Sequence, residues 1–438
     1  MKVLKLQIEK FRHLENVDFD FTYPKDFYIK EKRGMPLDKI CFIGQSATGK
    51  TNLLELIFDT YSYLFDVETI SNKYLLHRTD GGFKSFNGEF VSRFKNEYLT
   101  YNKSNISFRG IEFNSSNPTS GSIDQLIPPT YRNGLFYLKS NLISDKNIEL
   151  FSSNPIDLIE KYNSQIENIK ISARNNRIRR HSELIFDDKV DESTWLFLIT
   201  EILDYRKNFT QKMSELIHKG LLANQNKLSE EFNKWQKDNP NTLEMFAKKF
   251  NPALEKLNLE VDIINTEYSI PIKNKRNDEI IPIQSTSTGT KGLLLSFLPL
   301  YKLDTKYSII LIDEPERSLY PDMQMDLMQY YQNLAPDAQF IVATHSPFIA
   351  ASFEPEERFI LYFDEEGKVS VRRGSSPIGD DPNDMLKNDF GINYYNKYGE
   401  EAYKKYLKLK EDLEKEKDPT KKKEILLETV KLGDTYNF

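Results

Sequence analysis

The run KICFIGQSATGKTNLLELIF, residues 39–58, divides into three textures. KICFIG is a short apolar stretch of the kind that forms a buried strand. GQSATGKT, residues 44–51, matches the spacing GxxxxGK followed by Ser or Thr. TNLLELIF then opens a helix-forming run. Strand, glycine loop and helix in this order make a phosphate site. The glycines let backbone N–H groups curl around an anion, and the helix N-terminus faces it. The candidate phosphate-binding residues are Gly44, Gln45, Ser46, Ala47, Thr48, Gly49, Lys50 and Thr51. Lys50 would reach the β and γ phosphates of ATP, and Thr51 would hold Mg2+.

Two later stretches complete an edge. SIILIDEPE, residues 308–316, is a strand pattern that ends in Asp313 and Glu314. In a parallel sheet ligands gather at the carboxyl ends of strands, so Asp313 becomes the second metal candidate and Glu314 the group that orients or deprotonates an attacking water. FIVATHSPF, residues 340–348, repeats the arrangement and delivers Thr344 and His345 to a strand end. An imidazole there could bond the γ-phosphate or the attacking water. The histidines at 13, 77, 181 and 218 share no spacing with it and receive no role. STSTGTKG, residues 285–292, has the composition of a linker but runs directly into LLLSFLPLY, which makes it a loop capping a helix.

The rest of the chain frames these motifs. With 438 residues, 39% apolar and 29% charged, it is globular, and no run approaches the roughly 18 apolar residues of a membrane span. The opening MKVLKLQIEKF alternates like a strand, which places the protein in the cytoplasm. Cys41 is the only cysteine and reads as a buried strand residue, so neither an intrachain disulfide nor a cysteine-based metal site within one chain is available. A net charge of −6 offers no whole-molecule attraction to nucleic acid. The periodicities give four segments: 1–153, with strands, the phosphate loop and antiparallel pieces such as NISFRGIEF; 154–253, helical; 254–373, where strand texture returns; and 374–438, a helical tail broken at KDPT, where Asp418 and Pro419 cap a second helix.

FRHLENVDF, GQSATGKTNLLELI, STGTKGLL, LIDEPERSLYPDMQ and FIVATHSPFIA, taken together, resemble the ABC-type ATPase heads of the RecF, SMC and OLD group, especially compact ATPases of prokaryotic antiphage systems such as Septu. The resemblance implies an α/β P-loop NTPase head with a mixed, largely parallel sheet and an antiparallel β subdomain, here with an inserted helical arm and a C-terminal helical hairpin. It also implies that two heads close face to face on two ATP molecules with Mg2+. In that arrangement Ser287 and Gly289 are trans signature contacts, joined by Lys291 as a further source of phosphate attraction, and Ser318 belongs to an intersubunit loop. The chain departs from the family at Ser46 and Ala47, where relatives often carry Asn and Gly, and at the signature, where adjacent glycines and a glutamine are replaced. The glutamine that watches Mg2+ in the family is not assigned here; Gln125, in SIDQLIPP, is a candidate. Fewer than about 100 residues follow His345, too few for the Toprim nuclease domain of an OLD protein beside the helical tail.

The function expected on these grounds is a nucleotide-driven ATPase that senses or regulates a separate effector, such as an HNH-type nuclease, in antiphage defence. The alternative is a RecF-like DNA clamp. KISARNNRIRR, residues 170–180, supplies Arg174, Arg177, Arg179 and Arg180 for DNA phosphates, unless these form a solvated helix face. A self-contained nuclease would have to use FDEEG or GDDPND, each an ordinary polar turn. A P-loop kinase leaves STGTKG and ATHSPF unexplained.

Overall fold

A computed structural model describes residues 1–65, 87–102, 105–114, 134–174, 183–379, 381–392 and 397–436. These fall into two compact units, Met1–Gly379 and Asp380–Phe438. The strands of the first unit, in chain order, begin with β1 (Lys2–Phe11), β2 (Leu14–Asp20), β3 (Lys39–Gly44), β4 (Asn87–Phe94), β5 (Glu97–Asn102), β6 (Asn105–Phe108), β7 (Ile111–Asn114) and β8 (Leu135–Leu138). They continue with β9 (Glu183–Phe186), β10 (Leu259–Val261), β11 (Ile272–Asn274), β12 (Ile280–Ile281), β13 (Ile309–Asp313), β14 (Gln339–Ala343), β15 (Arg358–Phe363) and β16 (Val369–Arg373).

The central sheet runs β16-β15-β3-β14-β13-β8-β9. Its pairs from β15 through β9 are parallel, and β16 closes one edge as the antiparallel arm of a hairpin. Strands covered on both faces need continuous apolar sequence, and every residue of IILID in β13 and QFIVA in β14 is buried. On one face lies the helix Lys50–Phe65, which buries Leu53, Leu54, Ile57 and Phe58. On the other, Leu293 of the helix Thr288–Lys302 and Tyr331 of the helix Pro321–Leu334 line one small cavity with Ile312.

A second sheet, antiparallel in the order β2-β1-β4-β5-β6-β7, holds the NISF and IEFN strands. Phe19 of β2 and Phe21 just after it meet Phe42 and Phe359 of the central sheet edge-on, at centroid distances of 5.6, 6.1 and 5.0 Å for the Phe19–Phe42, Phe21–Phe42 and Phe21–Phe359 pairs. Such pairs contribute about 0.5–1.5 kcal/mol each beyond their buried area. Gln339, buried at the start of β14, stitches the two sheets. Its Oε1 accepts Val3 N–H at 2.7 Å, and its Nε2 donates to Leu37 O at 2.7 Å.

Between β8 and β10 the chain is mainly helical, through Asp145–Ser152, Pro155–Lys161, Asn163–Arg174, Glu192–His218, Gln225–Asp238 and Thr242–Glu255. Asn154, Asp191, Asn224 and Asn241 each accept a first-turn N–H, which stops and restarts the helices. The segment also contributes β9, which pairs parallel with β8 and makes this part of the chain an edge of the sheet as well as a helical insertion. The helix Asn163–Arg174 ends at Arg174; Arg177, Arg179, Arg180 and Gln125 lie outside the described residues.

Within the second unit, Pro382–Asn388 precedes a hairpin of Lys397–Lys415 and Pro419–Tyr436. The Asp418–Pro419 cap forms as expected, with Asp418 Oδ1 accepting Thr420 N–H at 2.8 Å, and Lys405 pairs with Glu428 across the hairpin at 2.7 Å. Among the described residues no helix is long and apolar enough to cross a membrane.

Candidate nucleotide site

Parallel pairing sets the level of the site. Phe42 is in register with Ala343, and Ala343 with Asp313. The phosphate loop, the acidic pair and Thr344–His345 therefore leave the sheet at one edge. Backbone bonds continue past the strand ends, from Thr344 N–H to Phe42 O at 3.1 Å and from Glu314 N–H to Ala343 O at 2.8 Å.

At the mouth of the loop Gly44 has φ +143°, and a Cβ there would stand 2.0 Å from Leu361 O of the neighbouring strand. No side chain is compatible with that approach. Ala47, one of the departures from the resembled family, is left-handed at φ +65°, a conformation that favours glycine. Lys50 Nζ donates to Gly44 O at 2.8 Å and Gln45 O at 2.9 Å, so the ammonium is held over the loop. Burial lowers its pKa to about 8, against the opposing pull of Glu314, Asp313 and Glu316. A polyphosphate arriving beside it would restore the preference for the charged form.

Thr51 joins the two halves. Its Oγ1 lies 3.1 and 3.2 Å from the two carboxylate oxygens of Asp313. Burial raises the Asp313 pKa to about 6, Thr51 works against this, and Glu314, Glu316 and Glu55 reinforce it. A hydroxyl and a buried carboxylate, both oxygen donors, suit a hard divalent cation that takes its other ligands from phosphate and water. Among the described residues no group of three or more His, Cys, Asp or Glu side chains could hold a metal without such help.

Glu314 follows β13 with φ +49°, a left-handed turn that breaks the strand and leaves its carboxylate partly exposed. His345 Nε2 lies 4.0 Å from Glu314 Oε1. Burial first, then the Lys50 cation, lower the imidazole pKa, while Glu314 opposes them. The ring is accordingly neutral at pH 7 and can give or take one proton-bearing hydrogen bond beside the carboxylate.

STSTGTKG is a helix start. Ser287 caps Thr288–Lys302, its Oγ accepting Thr290 N–H at 3.2 Å. Ser287 and Thr288 are exposed, whereas Gly289 is buried against its own chain: a Cβ on it would meet Ser318 O at 2.5 Å. Ser318 itself is exposed with φ +63°. Among the described residues no hydrogen bond or ion pair joins Ser287 or Lys291 to the phosphate loop. A cavity of about 50 Å³ behind the acidic pair is lined by Leu138, Gly289, Leu293, Ser296 and Tyr331.

Several residues beside the site carried no signal that sequence reading used. Glu316 Oε1 accepts His345 N–H at 2.7 Å. The DEPE run contained it, but only a structure shows which backbone it holds. Tyr137, buried in β8, keeps its hydroxyl without a partner near Asp313, Glu55 and Asp59. Leu138 is level with Ile312, so Lys139 follows next to Asp313. The turn after β1 brings His13 against Gly49.

A family model described as an AAA ATPase domain matches residues 1–350. The chain belongs to that family. This AAA ATPase is 24% identical to the "Retron Vc95 probable ATPase" of Vibrio cholerae serotype O1 biovar El Tor over 374 residues, 78% of this chain and 73% of that protein. It is 33% identical to the Septu protein PtuA of Bacillus thuringiensis over 72 residues, 16% of this chain and 18% of that protein. Among solved structures it is similar to the Smc head domain of Pyrococcus furiosus bound to the C-terminal domain of ScpA, at 15% identity and a TM-score of 0.40 over 85% of this chain and 96% of that one. The SMC head domain of Thermotoga maritima gives 12% and 0.41 over 86% and 100%. The resemblance drawn from the motifs is borne out by the family match and the Septu relative. The AAA ATPase has the α/β head with a mixed sheet that those motifs implied, and its activity is ATP hydrolysis.

Proposed function

We propose that this ATPase binds ATP with Mg2+, closes two chains face to face around two nucleotides, and opens them by hydrolysis to regulate a separate effector in antiphage defence. The observation that carries the catalytic part is the Thr51–Asp313 contact, which joins the phosphate loop to the acidic pair with Lys50, Glu314 and His345 around it. Lys50 and the loop N–H groups bind the β and γ phosphates; Thr51 and Asp313 hold the cation, which supplies charge neutralisation between those phosphates. Glu314 orients the attacking water and takes its proton. His345, neutral and held at its backbone, bonds the γ-phosphate or that water.

The exposed Ser287 cap and the helix start behind it support the trans role, since a helix N-terminus with free N–H groups favours an anion. Lys291 adds a cation on the same turn, and Ser318, against Gly289, lies where a partner would sense the helix. The retron ATPase and the Septu protein support the defence setting, and an HNH-type nuclease is the effector class we favour.

Mixing tests the dimer. Lys50→Ala and Ser287→Arg chains, each inactive alone, should regain about half the wild-type turnover per mixed dimer, and so about a quarter in an equimolar statistical mixture, because one of the two composite sites in each mixed dimer is intact. No recovery in demonstrated mixed dimers refutes trans action. Loss of phage protection on Lys50→Ala, in cells that carry the wild-type gene's native surroundings and are protected by them, tests the setting.

A further inference from the structure

Two side chains outside the phosphate machinery tie the loop after β13 to the turn after β14. One is Glu316, which holds His345 N–H. The other is Gln324, in the first turn of the helix Pro321–Leu334. Gln324 Nε2 donates to Leu319 O at 2.8 Å, and its Oε1 accepts the hydroxyl hydrogen of Ser346 at 2.5 Å. Leu319 O can only accept, so the amide has one usable orientation. Ser346 is buried, its N–H donates to Thr344 Oγ1 at 2.9 Å, and its Oγ accepts Phe348 N–H and Ile349 N–H at 3.1 and 3.2 Å. It is therefore a fixed point of the turn that carries His345.

The far end of the bridge is equally constrained. Ser318 and Leu319 are the residues a Cβ at Gly289 would strike, at 2.5 and 3.1 Å. Contacts therefore run from the start of the helix Thr288–Lys302 through Ser318–Leu319 and Gln324 to Ser346 and His345. A displacement at the Ser287 cap pushes on a backbone carbonyl, and Gln324 is, beside Glu316, a polar link between that loop and the turn that bears His345. Neither a carboxylate nor an apolar side chain can replace it, because one end must donate and the other accept.

We infer that Gln324 is a positioning residue of the ATPase. It sets His345 opposite Glu314 according to where the Ser318 loop lies, and so couples the Ser287 helix to turnover. This rests on the proposed roles of Glu314 and His345. In the full chain, Gln324→Met keeps length and volume while removing both polar atoms. It should lower kcat about tenfold with the KM for ATP within twofold, since the phosphate loop is untouched. Gln324→Glu retains the acceptor for Ser346 but sets a carboxylate oxygen against Leu319 O, and should fall as far. Ser346→Ala cuts the same bridge from the other side. The double variant should be no slower than the worse single, because one bridge is lost once. Should Gln324→Met melt, Ser346→Ala carries the test, with nucleotide affinity and thermal unfolding recorded alongside.

Wild-type kcat in Gln324→Met and Ser346→Ala, a rise in KM alone, or losses that multiply in the double variant overturn the bridge. Failure of the wild-type chain to turn over ATP, or full turnover by Glu314→Gln, instead overturns the reading of the site on which it stands.

Discussion

Replacing Asp313 with Asn should make the nucleotide-free protein more stable while abolishing turnover. Asp313 is 7% exposed, and burial raises its pKa from 3.8 to about 6. That displacement corresponds to about 3 kcal/mol between the charged and neutral forms. The sign follows from proton uptake. The folded pKa is above the unfolded one, so the native state binds more protons between about pH 4 and pH 6. The carboxyl's contribution is fully present below about pH 4 and is lost as pH rises through about 6. Asn stays neutral and still accepts from Thr51. Its advantage over Asp should therefore be small near pH 4, grow across the interval, and level off at up to about 3 kcal/mol by pH 7. Urea unfolding of both proteins without nucleotide, at constant ionic strength, reads this difference directly, because the other carboxyls cancel. ATP with Mg2+ at about a thousandfold excess over Kd should then reverse the ranking, as only the wild type gains the resulting stabilisation of about 4.1 kcal/mol. A pH-independent difference, or an Asn variant weaker at pH 7, refutes the burial argument.

Glu314→Gln should retain ATP affinity and lose about 10²–10⁴-fold in kcat, measured by phosphate release, as expected for a lost general base. Gly289→Ala should destabilise the head by about 1–3 kcal/mol in denaturant, because the methyl meets a backbone carbonyl that cannot move alone. It should slow turnover as well, by displacing the Ser318 loop.

Much of this molecule was visible in residue order. β3, β13 and β14 are apolar runs whose flanks name their partners in the site, and the β15–β16 hairpin and the Asp418 cap are local features with local signals. What escaped was long-range. Nothing in LFYL says that β8 will lie beside β13, since parallel partners are chosen by topology and each strand presents the same apolar face. β9 hid inside a helical stretch because four residues are too few to show a period. Gln324 read as an ordinary polar residue of a helix first turn; its two partners come from different loops. The trans contacts are a different matter, since one chain displays only the exposed cap at Ser287.

The strand order has a consequence for how the protein is made. β3 lies between β15 and β14, both of which follow it by about 300 residues. On the ribosome, at about 5–20 residues per second, an almost wholly buried strand waits tens of seconds before either edge finds its partner. Non-local parallel pairing is slow for the same entropic reason. The strand that bears the phosphate loop is thus the one most exposed to wrong pairing in the nascent chain. Slower translation before residue 339 should raise aggregation more than the same pause placed after residue 363.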